Sequence, residues 1–139
     1  MRAYSFLMSG NGSGDGHYVE LSETKFMELL RCVLVQVEVD EDWYRSYYRD
    51  VDEAIKAGNV SSARQHYINA GYFENRLPRK VVVNERWYLE EYPDVAAAIK
   101  FGAFSSATAH FERDGFKEGR LPSEGWSLLG EPVRHLQDA

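Results

Sequence analysis

The sequence predicts a mainly α-helical chain built from two tandem helical-hairpin repeats of period 44. An N-terminal capping helix precedes them, with a short β-hairpin as one reading of the residues before it. Three observations carry this. Residues 37–78 and 81–122 align without a gap, and 21 of the 42 pairs are identical, which marks a duplication. Apolar residues recur at helical spacing inside each copy, and glycines follow each run at equivalent positions. A lone helical hairpin cannot bury its apolar face, so the copies are expected to stack on each other. The segments that follow are 1–36 (strand or loop, then the capping helix), 37–80 and 81–122 (the repeats), and 123–139 (a tail).

Each element has a local reason. Ala3–Met8 and His17–Leu21 read either as two short strands around the glycine-rich SGNGSGDG or as a mobile terminus. Ser22–Val35 reads as a helix, with Ser22 able to cap it and Phe26, Leu29, Leu30, Val33 and Val37 on one face. Val37-Glu38-Val39 and Val81-Val82-Val83 either pair as short strands or run as extended connectors. Asp40 and Asn84 then suit helix N-caps, because their short side-chain oxygens reach the free N–H groups of a first turn. Tyr44, Tyr48, Val51 and Ile55 recur at spacings of 4, 3 and 4, as do Tyr88, Tyr92, Val95 and Ile99. Pro93 predicts a break at Tyr92, while Arg49 at the same position in copy one shows that proline is not required.

Gly58 and Gly102 supply a left-handed stop. Ser61 and Ser105 are expected to cap the second helix, with Val60 and Phe104 in staple position. Its apolar face is Ala63, His66, Tyr67 and Ala70 in copy one, and Ala107, His110 and Phe111 in copy two. Gly71 and Gly115, each followed by an aromatic, fit the glycine of a Schellman stop. In the tail, Trp126, Leu128, Leu129, Val133 and Leu136 either dock back or engage a partner, and Pro132 interrupts any continuous helix.

Composition and motifs narrow the chemistry. A net charge of −6, from 16 basic and 22 acidic residues, disfavours a nucleic-acid binder that relies on phosphate neutralisation. One cysteine excludes an intrachain disulfide framework and a Cys-rich zinc site. No apolar run approaches the roughly 18 residues of a spanning helix, so no membrane insertion is expected. The apolar stretch Ala3–Met8 is short for a secretory signal, and a cytoplasmic setting is expected. Gly10, Gly12, Gly14 and Gly16 lack the strand-before, helix-after context of a phosphate loop. The run Glu38, Asp40, Glu41 and Asp42 reads as an anionic helix start rather than a calcium loop. Cys32 has no neighbour that would activate it, and no G-x-S-x-G is present.

His66 and His110 occupy equivalent helix positions, with Glu74/Arg76 matched by Glu118/Arg120. They invite a functional reading as general base or ligand. A catalytic centre must be asymmetric around one substrate, whereas a packing role recurs once per unit, so the structural role is favoured. It has each histidine facing inward and bonding a neighbouring loop. No catalytic residue, metal ligand or cofactor is therefore assigned. The repeated structural set is Trp43, Tyr44, His66, Gly71 and Arg76 with Trp87, Tyr88, His110, Gly115 and Arg120. The unduplicated aromatics Tyr47, Phe73, Phe101 and Trp126 are left as the candidate interaction surface.

Copy two reads W-Y-x-x-x-Y-P-D-V-A-x-A-I…G…S-A…H-F…G…E-G-R-x-P from Trp87 to Pro122. This pattern resembles a short repeat of bacterial proteins that occurs singly or in arrays, often in proteins associated with glycosyltransferases, exopolysaccharide clusters or the cell surface. The resemblance covers residues 37–122. Copy one departs from it at Arg49, where proline is usual, and at Asn75, where glycine is usual. It brings no catalytic residues with it. The function expected is a non-enzymatic protein-interaction or adaptor module, accessory to bacterial polysaccharide or envelope processes, with a protein partner or a second copy of the chain. The alternatives are a carbohydrate-binding module using Trp43 and Trp87 as platforms for a glycan, and a small enzyme using His66 or His110 with a carboxylate.

Overall fold

The computed structural model describes residues 3–8 and 17–130. The glycine-rich segment 9–16 and the tail positions Pro132, Val133 and Leu136 lie outside the described residues, so the expectations for them stop there. Within the described residues the chain is mainly helical with one short β element. It divides after Gln36 into two compact units.

In the first unit, β1 (Ala3–Met8) and β2 (His17–Ser22) form an antiparallel pair in register from Ala3↔Ser22 to Met8↔His17. Ser22 ends β2 and caps α1 (Glu23–Leu34), its hydroxyl accepting from the Lys25 N–H at 3.2 Å. The buried stripe is narrower than the pattern predicts, and Val37 is buried just beyond the helix end. Phe26 and Leu30 are half-buried and Leu34 is buried, whereas Leu29 and Val33 are exposed. The inward row runs at i, i+4 and i+8, and the residues one position earlier turn away from it. Cys32 is exposed.

The second unit holds both copies. The first has α2 (Glu41–Tyr47), α3 (Arg49–Lys56) and α4 (Ala63–His66), which continues as a π-helical turn over Tyr67–Gly71. The second has α5 (Glu85–Glu91), α6 (Pro93–Lys100) and α7 (Ala107–His110), which continues over Phe111–Gly115. Asp40 and Asn84 cap as expected, accepting from the Trp43 and Trp87 N–H groups at 2.9 and 3.1 Å. The break in the first helix occurs in both copies. Tyr48 leaves the helix at φ −104, ψ 86, and Tyr92 at φ −119, ψ 78. Proline is thus not its cause. Both phenols reach across the unit, accepting from the Leu77 and Leu121 N–H groups at 2.8 and 2.9 Å. Pro93 sits at the first position of α6, where a missing N–H is tolerated.

Gly58 and Gly102 adopt φ 78 and 80, and the Asn59 and Ala103 N–H groups bond back to Ala54 and Ala98, each at 2.9 Å. These are Schellman stops. The cap of the second helix lies one residue later than predicted. Ser62 and Ser106 accept from Gln65 and Ala109, each at 3.0 Å, because the extended backbone at those positions points the hydroxyl at the first turn.

The Val triplets are extended connectors without ladder pairing. Instead the Asp40 N–H donates to the Pro78 carbonyl at 3.1 Å and Asn84 to Pro122 at 3.0 Å, so each copy closes on its own start. Val81 and Val83 enter a core with Leu77, Tyr88, Val95, Ala107 and Phe111. Trp43 from copy one and Trp126 from the tail pack against it, which joins both copies and residues 123–130 into one hydrophobic body.

Candidate functional site

Each copy builds the same side-chain network around its histidine. Glu41 lies in the first turn of α2, and its carboxylate accepts from the Ala63 and Arg64 N–H groups at 2.9 and 3.0 Å. Glu85 does the same for Ala107 and Thr108, both at 3.0 Å. These contacts seat the second helix on the first. They bring the Tyr44 hydroxyl to 3.0 Å from His66 Nδ1 and the Tyr88 hydroxyl to 2.9 Å from His110 Nδ1. The histidines thus face inward, but their partner is a phenol rather than a loop.

The phenol also explains Gly71 and Gly115. Neither has positive φ, so neither is the left-handed stop that the sequence suggests. A Cβ on Gly71 would collide with the Tyr44 hydroxyl, and one on Gly115 with that of Tyr88. Glycine is needed for close approach. At this point the helix widens to a π turn, with the Tyr72 and Phe116 N–H groups bonded to Tyr67 and Phe111, each at 2.9 Å. The true stop comes four residues later, at Asn75 (φ 57) and Gly119 (φ 78). There Arg76 and Arg120 N–H bond back to Gly71 and Gly115 at 2.9 Å.

That stop aims an arginine. Arg76 forks onto Asp50 at 2.9 and 2.7 Å, donates to Glu74 at 2.6 Å, and lies 4.8 Å from the Tyr48 ring centroid. Arg120 repeats this with Asp94 at 2.9 and 2.6 Å, Glu118 at 2.8 Å and Tyr92 at 4.9 Å. The guanidinium hydrogen bonds hold Asp50 and Asp94 below the usual carboxylate range. Burial pushes Tyr88 up to about 12, and raises Tyr44 as well. Both histidines are lowered, by burial first and then by Arg76 or Arg120. Each phenol and its imidazole therefore share one hydrogen bond, and the nearby carboxylates are committed to arginine. General acid–base catalysis by these histidines would lack the carboxylate that orients the ring.

The two networks part at one place. In copy two, Phe104 stands edge-on to His110 at 4.7 Å, and the Arg113 guanidinium covers Phe104 at 3.9 Å. His110 is left 5% exposed. In copy one, Val60 replaces Phe104, His66 is only half-buried, and an open pocket lies beside it. Treating the histidines as equivalent hides this difference. Its signal in the sequence is the pair Val60/Phe104.

The unduplicated aromatics have separate fates. Phe101 is 86% exposed, and Tyr47 is exposed but stacks on Trp43 at 4.7 Å with 19° between the planes. Phe73 is exposed and lines a cleft of about 430 Å³ with Tyr72, Asn75, Phe116 and Leu128. Trp126 is not a free surface residue: it meets Phe111 and Phe116 edge-on at 6.5 and 6.4 Å and covers copy two's core. Trp43 and Trp87 are half-buried against that core, which removes the most obvious aromatic platforms for a glycan. Among the described residues, no group of three or more His, Cys, Asp or Glu side chains could hold a metal. Among them, too, no helix is long and apolar enough to cross a membrane. No family model, curated protein or solved structure matches this chain.

Proposed function

We propose that the chain is a non-enzymatic interaction module that receives a protein partner in the cleft between its two copies. The observation that carries this is the convergence of Tyr72 and Phe116, equivalent positions of the two copies, with the exposed Phe73 and with Leu128 of the tail. Such a cleft exists only because the copies stack. Its aromatic walls suit one apolar anchor side chain from a partner, with Asn75 at the edge to bond the partner's backbone. A setting in bacterial polysaccharide or envelope processes, on the cytoplasmic side, is part of the proposal. The repeat resemblance supports the first, and the free, exposed Cys32 is compatible with the second.

The test uses the purified full chain as bait in lysate of its native cell, beside a Phe73→Ala variant. Phe73 is exposed, and an unchanged far-ultraviolet circular dichroism spectrum certifies that the variant is folded. A protein retained by the parent chain and lost by Phe73→Ala is the expected result. Equal capture by both baits, or capture of glycans alone, overturns the proposal.

A further inference from the structure

Copy one keeps open a pocket that copy two fills. Asn59, Val60, Gln65, His66, Asn69 and Ala70 line a cavity of about 240 Å³. At the positions matching Asn59, Val60, Gln65 and Asn69, copy two has Ala103, Phe104, Ala109 and Arg113. There the phenylalanine and arginine plug the space in front of the histidine. The same backbone thus supports a closed arrangement, and in copy one three carboxamides stand around an open one. We propose that this pocket binds one neutral, hydroxyl-bearing ring, a single glycosyl unit.

The chemistry of the wall selects that class. His66 spends Nδ1 on the Tyr44 hydroxyl at 3.0 Å, which leaves Nε2 as its free ring nitrogen. Gln65 spends its oxygen on the Ser61 N–H and hydroxyl, which leaves its NH₂ group to donate. Among the described residues, the Asn59 and Asn69 carboxamides make no internal hydrogen bond. Each therefore keeps both a donor and an acceptor, and a sugar hydroxyl needs both. Val60 and Ala70 supply an apolar wall for ring C–H groups. No Asp, Glu, Lys or Arg lines the cavity, so a charged ligand would lose hydration without gaining a counter-charge. The volume falls below the roughly 300–1,000 Å³ of sites for drug-sized ligands, which leaves room for one ring.

This site shares no lining residue with the partner cleft, so either proposal can fail without the other. The test titrates isotope-labelled full chain with glucose, galactose or N-acetylglucosamine, with glucuronate as the charged comparison. It follows the side-chain amide signals of Asn59, Gln65 and Asn69 and the imidazole of His66. Saturable shifts with at least one neutral sugar are expected, with affinity about tenfold weaker in Asn69→Ala. They are expected to vanish in the double variant V60F/N69R, which rebuilds the plug that copy two accommodates. An unchanged backbone amide pattern certifies that the variant is folded. The absence of saturable shifts with all three neutral sugars overturns the proposal. So do equal shifts in V60F/N69R, or tighter binding of glucuronate than of any neutral sugar.

Discussion

A methyl group at Gly115 would occupy the space of the Tyr88 hydroxyl, which bonds the buried His110. Gly115→Ala is therefore expected to cost about 1–3 kcal/mol through overpacking. Tyr88→Phe is expected to cost about 1–2 kcal/mol by leaving Nδ1 unpaired. The double variant removes the obstacle along with the bond, so its loss should be clearly smaller than the sum. Denaturant unfolding of the four proteins checks this, and strict additivity would contradict the close-approach account. The histidines also predict a pH dependence. Their folded pKa values lie below the ordinary value of about 6.5, so below that pH the unfolded chain binds more protons than the folded one. The stability contribution is full above about pH 6.5 and is lost as pH falls through the folded values. Thermal unfolding should show a lower Tm at about pH 5.5 than at about pH 7.5, before Asp50 and Asp94 begin to lose their arginine bonds at more acidic pH.

At the scale of elements, the shared break between the two parts of the first helix makes a direct prediction. Tyr48 and Tyr92 have similar dihedrals, and the residue after Tyr92 is already proline. Arg49→Pro is therefore expected to raise stability by about 0.4–1 kcal/mol, by narrowing the unfolded ensemble at no structural cost. A higher denaturation midpoint with an unchanged slope would show it. The first-helix caps at Asp40 and Asn84 and the stops at Gly58 and Gly102 were legible, because each depends on residues adjacent in the chain. The end of the second helix was not. Glycine followed by an aromatic looks like a stop, but the chain continues through a π turn where a phenol from another helix packs on the glycine, and the stop falls at Asn75 and Gly119. Periodicity rules assume 3.6 residues per turn and cannot register a contact between residues 27 apart in sequence, such as Tyr44 and Gly71.

Across the second unit, two tryptophans bind the parts together. Trp43 carries copy one into copy two's core, and Trp126 covers that core from the tail. Trp126→Ala is expected to cost about 2 kcal/mol, less than the 3–5 of a fully buried tryptophan because its ring is half-buried. Loss of the Phe111 and Phe116 contacts should lower the midpoint of the whole unit's transition, measured by near-ultraviolet circular dichroism. A midpoint unaffected by Trp126→Ala would mean that the tail lies on the core without stabilising it.

The duplication, the helical class, the first-helix caps and the repetition of the tyrosine, histidine, glycine and arginine positions follow from the order of residues alone. These are matters of identity and local spacing, which survive without knowledge of contacts. Tertiary structure decided what each repeated residue does: the phenol that holds the histidine, the glycine that admits the phenol, and the arginine that locks two carboxylates. It also separated the copies. A closed pocket around His110 and an open one beside His66 differ because Phe104 and Arg113 reach over one ring. Whether a side chain covers its neighbour depends on its path through space.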